Sequence, residues 1–352
     1  PKFLRKGNMI QILFDKCMRA NHTIFIILIF KIITMNLECS NGQSAYHKFS
    51  DSCMGTTFTL LIDHDNASEA KKGAILAFKE AHRLNMVFSD YESESELSKL
   101  SKNSGSGKFH PVSIELMSVL SASQKLSAET NGCFDITIGP YSRLWRIARF
   151  RKSLPSKEKL SSARNLVNYN NLVLDLEKNR AKLTQHGMVL DLGGIAKGYT
   201  ADHMLKVLKS NKLNRVLIDA GGDLLIGDAP IGKKGWKIEI GGRTHPDLPI
   251  LTLSNIAVAT SGDVEQFVTI DGKTYSHLID PLTGVGITSR MQVTVLTHSA
   301  MEADALASAC LVMGKEPSIK FLKNKNLYNA FFVEVSDKES LQLNAIFPFG
   351  NN

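Results

Sequence analysis

LDLGGIAKGYTAD, residues 190–202, is the most informative segment of the chain. The segment 189–192, in which apolar residues flank Asp191, predicts a strand, and the pattern of residues 199–209 predicts a helix. Between them Gly193 and Gly194 allow a tight turn, and backbone N–H groups at the start of the helix can bind an anion beside Lys197. Neither the dinucleotide-binding nor the Walker glycine spacing is present, so an ordinary strand-to-helix turn explains the segment equally well.

The same two periodicities, applied to the rest of the chain, predict an α+β fold. Strands are predicted over residues 56–63, 172–176, 180–184, 189–192, 216–219, 236–240, 256–260, 267–270 and 292–296. Helices are predicted over residues 67–87, 113–130, 199–209 and 301–313. Because many of the strands follow one another across short turns, we expect mixed, largely antiparallel sheets with packed helices.

Composition excludes several classes of protein. The chain has 352 residues, 43% hydrophobic and 22% charged, which is ordinary for a globular protein. Half of the formal net charge of +8 lies in residues 1–39, and the other half is too diffuse to indicate nucleic-acid binding. The five cysteines, at positions 17, 39, 53, 133 and 310, show no paired spacing, so we expect neither a disulfide framework nor a zinc site.

Residues 1–39 are predicted to be an export segment. Arg19 and His22 precede the apolar run 23–34, which has the length of the hydrophobic part of a signal peptide. A membrane-spanning helix needs about 20 apolar residues, and Lys31 interrupts this run. The pattern therefore favours export over a buried N-terminal helix, and places the protein in the periplasm or on the outer face of a bacterial membrane.

Cys39 follows the apolar run at the distance at which a bacterial lipoprotein is cleaved and acylated. Glu38 stands where a small residue is usual, so the sequence leaves a lipid anchor at Cys39 open. The polar residues 40–52 are predicted to be a tether, and residues 53–352 the folded domain.

Two further segments place polar residues at turns. Asp219 and Asp223 bracket a pair of glycines, and His277 and Asp280 lie in SHLIDPLTG, residues 276–284. Taken singly, a hairpin with acidic turn residues and a structural histidine explain these patterns as well as a functional site does.

The predicted helix around AMEADALASACLVMG, residues 300–314, carries a carboxylate and a hydroxyl on one face. Asp304 and Ser308 are four residues apart, and both are hard oxygen donors of the kind that suits Mg²⁺. A capping or surface contact is the alternative. Asp304 stands in a small, apolar stretch, however, and a buried carboxylate without a partner is costly, so a partner is expected.

Together these segments resemble the ApbE family of FAD:protein FMN transferases. Eight motifs occur in the family's order and span about residues 53–350. They are MGTTFTL (54–60), FSDYESESELSKL (88–100), GCFDITIGP (132–140), LDLGGIAKGYTAD (190–202), the turn 219–223, TSGDVEQF (260–267), SHLIDPLTG (276–284) and ADALASA (303–309).

The resemblance implies a role for particular residues. The residues implied to contact FAD are Met54, Tyr91, Cys133, Phe134, Asp135, Asp191, Lys197 and Leu278. The implied Mg²⁺ ligands are a main-chain oxygen of Gly194 and the side chains of Asp304 and Ser308, the last in place of the commoner threonine. The implied catalytic residues are His277 as general base, Asp280 and Lys197.

The activity implied by the resemblance is Mg²⁺-dependent transfer of FMN from FAD to a threonine of an acceptor protein, with release of AMP. The family's acceptor threonine lies in a short Ser/Thr-Gly-Ala-Thr type segment of a membrane respiratory subunit. Two alternatives remain open: an FAD pyrophosphatase that yields free FMN and AMP, and a non-catalytic lipoprotein that binds FAD.

Overall fold

Strands and helices with the predicted periodicities make up the computed structural model, which describes residues 46–240, 249–262, 267–325, 329–335 and 341–346. The predicted export segment, residues 40–45 of the tether and residues 263–266 of TSGDVEQF lie outside the described residues. The strands are β1 (Tyr46–Cys53), β2 (Thr56–Asp63), β3 (His110–Pro111), β4 (Leu172–Asp175), β5 (Arg180–Leu183), β6 (Val216–Ala220), β7 (Leu224–Ile226), β8 (Trp236–Glu239), β9 (Ile250–Leu253), β10 (Ile256–Gly262), β11 (Phe267–Ile270), β12 (Lys273–Ser276), β13 (Met291–Thr297), β14 (Asn329–Val335) and β15 (Leu341–Ile346). The helices are α1 (Ala67–Phe88), α2 (Glu96–Lys102), α3 (Ile114–Glu129), α4 (Gly139–Arg151), α5 (Lys157–Arg164), α6 (Ala196–Ser210), α7 (Ala300–Met313) and α8 (Lys315–Lys325).

The main sheet, within the described residues, has eight strands in the order β1-β2-β6-β7-β10-β13-β14-β15. Each neighbouring pair in this sheet is antiparallel. Three smaller antiparallel sheets pair β3-β5-β4, β8-β9 and β11-β12. This architecture confirms the predicted α+β class with largely antiparallel sheets.

Strand β2 shows how the main sheet is covered on both faces. Phe58, Leu60 and Ile62 are fully buried in the main core, which they share with the helices. Leu61, which points the other way, packs against a second core that contains Trp236 of β8. Because side chains alternate along a strand, one strand therefore contributes to both cores.

Helix α7 lies inside the main core. Its residues Ala303 to Leu311 are all buried, so this helix has no solvent-facing stripe. Asp304 and Ser308 are consequently held in the protein interior rather than on its surface. No helix within the described residues is long and apolar enough to cross a membrane.

A third, smaller core joins α4, α5 and the β11-β12 hairpin. Tyr141 and Trp145 of α4 are buried in it, and the ring centroids of Trp145 and Tyr275 are 5.2 Å apart. The indole Nε1 of Trp145 donates a 2.8 Å hydrogen bond to the carbonyl oxygen of Gly284. The segment that follows β12 is thereby attached to α4.

The predicted tether is wrong for residues 46–52, which belong to β1. This strand pairs with β2 along its whole length, from Tyr46 opposite Asp63 to Cys53 opposite Thr56. Its residues are polar because β1 is the edge strand and most of its positions are exposed or half-buried. An edge strand of this kind lacks the apolar alternation that identifies a strand in a sequence.

Two local predictions around the glycine turn also need correction. The predicted strand 189–192 is an extended segment in which Val189 forms a single parallel bridge with Ile138. The following helix begins at Ala196 rather than at Tyr199, which places Lys197 in its first turn. Most of the other predicted strands and helices are present, with ends that differ by one or two residues.

Gly198 sets the distance between α6 and α7, and replacing it with alanine should destabilise the fold. A Cβ at this position would lie 2.1 Å from the carbonyl oxygen of Ala300, which is backbone and has no rotamer to change. We expect Gly198→Ala to lower the stability by about 1–3 kcal/mol or more, measured by thermal unfolding.

Gly262→Ala is the matched control, because the nearest atom to a Cβ there is a side-chain carbon at 3.4 Å. Equal melting temperatures for the two variants would contradict the close contact of α6 with α7.

Candidate active site

A cleft of about 1110 Å³ lies where the glycine turn before α6 meets α7, α4 and the loops after β1 and β12. The residues that line it are far apart in the sequence. Every site residue implied by the sequence, apart from Asp280, lines it: Met54, Tyr91, Cys133, Phe134, Asp135, Asp191, Gly194, Lys197, His277, Leu278, Asp304 and Ser308.

The glycine turn and α7 converge in this cleft. A Cβ added at Gly194 would lie 3.0 Å from the Ser308 hydroxyl oxygen, so only glycine leaves the approach unobstructed. The hydroxyl oxygens of Ser261 and Ser308 are 3.4 Å apart, which brings β10 to the same point. A main-chain turn, a helix and a strand thus meet at one point, where the helix and the strand each present a hydroxyl oxygen.

The ammonium group of Lys197 lies between two carboxylates. Its Nζ is 3.0 Å from Asp223 Oδ2, 3.2 Å from Asp304 Oδ1 and 3.2 Å from the carbonyl oxygen of Gly193. Asp304 is 3% exposed, and its Oδ2 also accepts a 3.1 Å hydrogen bond from the N–H of Gly198. The partner that the sequence required for the buried Asp304 is therefore Lys197.

Burial and the neighbouring charges shift the pKa values of Asp304 and Lys197 in opposite directions. Burial raises the pKa of Asp304, and the nearby Lys197 opposes that rise. Burial alone would lower the pKa of Lys197, but Asp304 and Asp223 outweigh it, so the pKa of Lys197 is raised. Lys197 therefore carries a permanent positive charge at neutral pH.

The residues around α7 suit a hard divalent cation. Asp304 supplies a carboxylate, Ser308 and Ser261 supply hydroxyls, and the backbone at Gly194 adjoins them. No group of three or more His, Cys, Asp or Glu in the described part of the chain has metal-binding geometry. A cation held here would complete its coordination with water and with ligand oxygens, as Mg²⁺ commonly does at phosphate sites.

Arg146 of α4 forms a second charged cluster on another wall of the cleft. Its Nη2 is 2.5 Å from Asp90 Oδ2 and 3.5 Å from Asp191 Oδ2. Its guanidinium lies 4.0 Å from the centre of the Tyr91 ring, and that side chain is 75% exposed. Asp191 in turn accepts a 2.9 Å hydrogen bond from the N–H of Gly193. Arg146 thereby links the exposed aromatic ring to the glycine turn.

Asp135 lines the cleft, but its carboxylate accepts hydrogen bonds from the neighbouring loop. Its Oδ1 accepts hydrogen bonds from the N–H and hydroxyl of Thr137, at 2.8 and 2.7 Å, and its Oδ2 accepts one from the N–H of Tyr169 at 2.9 Å. Burial raises the pKa of Asp135, and these hydrogen bonds oppose the rise. This side chain fixes the loop that presents Cys133 and Phe134 to the cleft.

Arg149, one turn after Arg146, joins α4 to the segment that carries His277. Its Nη2 donates a 2.8 Å hydrogen bond to the main-chain oxygen of His277. Arg149 follows Tyr141 and Trp145 at intervals of four residues, so one stripe of α4 makes all of these contacts. His277 is half-buried, and the segment that this stripe holds lines the cleft.

The family and the relatives of this chain are identified by comparison with known proteins. The model of the ApbE family matches residues 54–332. The chain belongs to the ApbE family. The FAD:protein FMN transferase of Treponema pallidum is 30% identical over 70% of this chain and 73% of its own length. That of Vibrio cholerae is 28% identical over 85% and 90%.

Solved structures of ApbE proteins have the same fold. A His-to-Gly mutant of the flavin transferase ApbE from Vibrio cholerae has a TM-score of 0.78 and 27% identity, covering 86% of this chain and 97% of its own. The apo form of the flavinyl transferase ApbE from Pseudomonas stutzeri has a TM-score of 0.76 and 27% identity, covering 88% and 97%. The resemblance drawn from the sequence motifs is thereby confirmed.

In this member of the ApbE family, Asp280 occupies a turn rather than the cleft wall. Its Oδ1 accepts a 2.9 Å hydrogen bond from the N–H of Leu282, and its Oδ2 accepts one of 2.8 Å from the hydroxyl of Thr283. Both oxygens therefore shape the Asp-Pro-Leu-Thr turn that follows His277. Asp280 therefore shapes the segment beside the site, and the catalytic role implied by the motif stays a prediction.

Arg146, Arg149, Asp90 and Ser261 are not among the site residues implied by the sequence, in which Asp223 stands only as a turn residue. A pattern was available for the two arginines, because residues 146 and 149 are three apart on a helix directly after GCFDITIGP. Nothing local indicated the partners of Arg146, which lie 56 and 45 residues away in the chain.

The turn role of Asp280 can be distinguished from a catalytic one by two substitutions. Asparagine is a good turn residue and keeps a side-chain oxygen for the Leu282 N–H, so Asp280→Asn should retain most of the transfer activity described for ApbE relatives. Asp280→Ala removes both acceptors and should lower the melting temperature and the activity together. A loss of activity in Asp280→Asn at unchanged melting temperature would instead show that the carboxylate charge takes part in the reaction.

Proposed function

We propose that this protein transfers FMN from FAD to a hydroxyl group of an acceptor protein and releases AMP. The observation that carries the proposal is the meeting of Gly194, Lys197, Asp304 and Ser308 at one point of the cleft, in a member of the ApbE family. A positive charge and hard oxygen donors at one point suit a pyrophosphate. The exposed ring of Tyr91 in the same cleft suits a flavin or adenine ring.

Mg²⁺ is the proposed cofactor, held by Asp304, Ser308 and a main-chain oxygen of Gly194. When bound, it would neutralise charge on the phosphate oxygens of FAD as the pyrophosphate bond breaks. The donor set described above supports this choice because it contains only oxygen atoms.

Lys197 contributes a fixed charge next to the phosphates. Negative charge builds on the bridging oxygen as AMP leaves, and an ammonium already in position stabilises that charge without reorganisation. Asp223 and Asp304 hold Lys197 in this position. The raised pKa of Lys197 keeps the ammonium protonated throughout.

His277 is the proposed general base. It would accept the proton of the acceptor hydroxyl as the hydroxyl oxygen attacks the phosphorus of the FMN half. Its place in the lining of the cleft and its partial exposure support this role, because an acceptor chain has to approach from outside. The hydrogen bond from Arg149 to its main-chain oxygen holds this segment in place.

The proposed acceptor is a threonine in a Ser/Thr-Gly-Ala-Thr type segment, as the resemblance to the family implies. We further propose an exported enzyme, attached to the membrane if Cys39 is lipidated, that acts on a membrane respiratory subunit. The apolar run 23–34 and the position of Cys39 after it support export.

Mass spectrometry of an acceptor peptide tests the proposed reaction. After incubation with FAD and Mg²⁺, the peptide should gain the mass of one FMN residue and AMP should appear in equal amount. An unmodified peptide with free FMN and AMP would show a pyrophosphatase instead. Bound flavin without any AMP would show a binding protein.

Asp304→Ala should abolish metal-dependent turnover. Because metal-assisted charge stabilisation is worth several kcal/mol, the loss should exceed about 100-fold. Glu302→Ala is the control, since Glu302 is an acid on the same helix that does not line the cleft. Full activity of Asp304→Ala in excess Mg²⁺ would contradict the assignment of this carboxylate as a metal ligand.

A further inference from the structure

Asp202 lies on α6, one turn and a half after Lys197, and its carboxylate binds the beginning of α7. Oδ2 accepts hydrogen bonds from the hydroxyl of Ser299 at 2.8 Å and from the N–H of Met301 at 3.0 Å. Oδ1 accepts a hydrogen bond from the N–H of Ala300 at 2.9 Å. Both oxygens of one side chain are therefore used to hold the end of another helix.

The first N–H groups of α7 are accounted for by these contacts. Asp202 accepts hydrogen bonds from the N–H groups of Ala300 and Met301. The hydroxyl oxygen of Ser299 accepts one from the N–H of Glu302, and its main-chain oxygen accepts one from the N–H of Ala303. A carboxylate at this end also opposes the positive end of the helix dipole. Because Asp202 belongs to α6, this cap of α7 connects two helices, whereas most N-caps come from the residue directly before the helix.

A second link joins the same helices one turn earlier on α6. The N–H of Gly198 donates a 3.1 Å hydrogen bond to Asp304 Oδ2, and the α carbon of Gly198 packs against the carbonyl oxygen of Ala300. The two links prevent α7 from sliding or rotating against α6. The relative position of the two helices determines where Asp304 and Ser308 lie with respect to the turn at Gly194.

We propose that Asp202 is a positioning residue for the divalent-cation site. It lies outside the cleft, and it acts by fixing α7 so that Asp304 and Ser308 match the glycine turn. This inference rests on the proposed function, which places the cation on those residues. Substitution of a residue that orients metal ligands without touching the metal typically lowers metal affinity or activity by about 10-fold to 100-fold.

Binding of Mn²⁺ to the full chain, measured by the loss of the free-ion signal in electron paramagnetic resonance, tests the proposal without an activity assay. We expect Asp202→Ala to weaken Mn²⁺ binding by about 10-fold to 100-fold. Asp202→Asn, which keeps one side-chain oxygen for the backbone of α7 and loses the charge, should show a smaller loss and serves as a second, milder variant.

Asn66→Ala is the matched control. Asn66 caps α1 through the N–H groups of Ser68 and Glu69, so its removal also costs a helix cap, but it lies outside the cleft lining. It should lower the melting temperature and leave Mn²⁺ affinity at the wild-type value.

Each outcome bears on a separate statement. Wild-type affinity in Asp202→Ala, or an equal loss in Asn66→Ala, would overturn the positioning role while leaving the cation site intact. Absence of Mn²⁺ binding by the wild-type chain would overturn the cation site itself, and the positioning role with it. Weaker binding in Asp202→Ala and Asp202→Asn alone, in that order of severity, supports the proposal.

Discussion

The ion pair between Lys197 and the buried Asp304 is the interaction on which the rest of the site depends. A carboxylate inside an apolar helix is costly, and the fold compensates by bringing one ammonium and one backbone N–H to it. Both groups come from the first turn of α6. The chemistry of the cleft therefore depends on two helices that begin near each other, and any change in their separation changes the charge distribution at the site.

Glycine makes that separation possible. At Gly194 a Cβ would lie 3.0 Å from the Ser308 hydroxyl oxygen, and at Gly198 it would lie 2.1 Å from the backbone of α7, so a side chain would crowd the first position and clash at the second. The motif LDLGGIAKGYTAD thus combines three requirements in one segment: a turn that exposes backbone to a ligand, a helix start with a lysine, and a contact surface for α7. Each requirement alone is common in proteins. Their combination on one helix end is what the cleft uses.

The sequence was sufficient for features that are encoded locally. The β-rich composition of residues 56–63 predicted β2, and α7 was predicted over residues 301–313, on which the four-residue spacing puts Asp304 and Ser308 on one face. The convergence of Gly194 with Ser308 could be inferred only through the family resemblance, because these residues are over a hundred positions apart.

Features that depend on distant partners could not be read from the sequence. The polar edge strand β1 is defined by its pairing with β2, and the role of Arg146 by carboxylates elsewhere in the chain. Asp280 shows a further case, in which the motif drew attention to a residue whose hydrogen bonds lie within its own turn. A position within a motif identifies a residue as important without saying whether it reacts or supports.

The small core formed by α4, α5 and the β11-β12 hairpin and the large core support different parts of the cleft. Tyr141, Trp145 and Tyr275 belong to the small core, whereas the chain neighbours of Asp304 and Lys197 belong to the large one. Cores of different size open with different free energies, so a protein can loosen one part while another remains native. The wall that Arg149 holds through α4 accordingly rests on fewer buried side chains than the wall that carries Lys197 and Asp304.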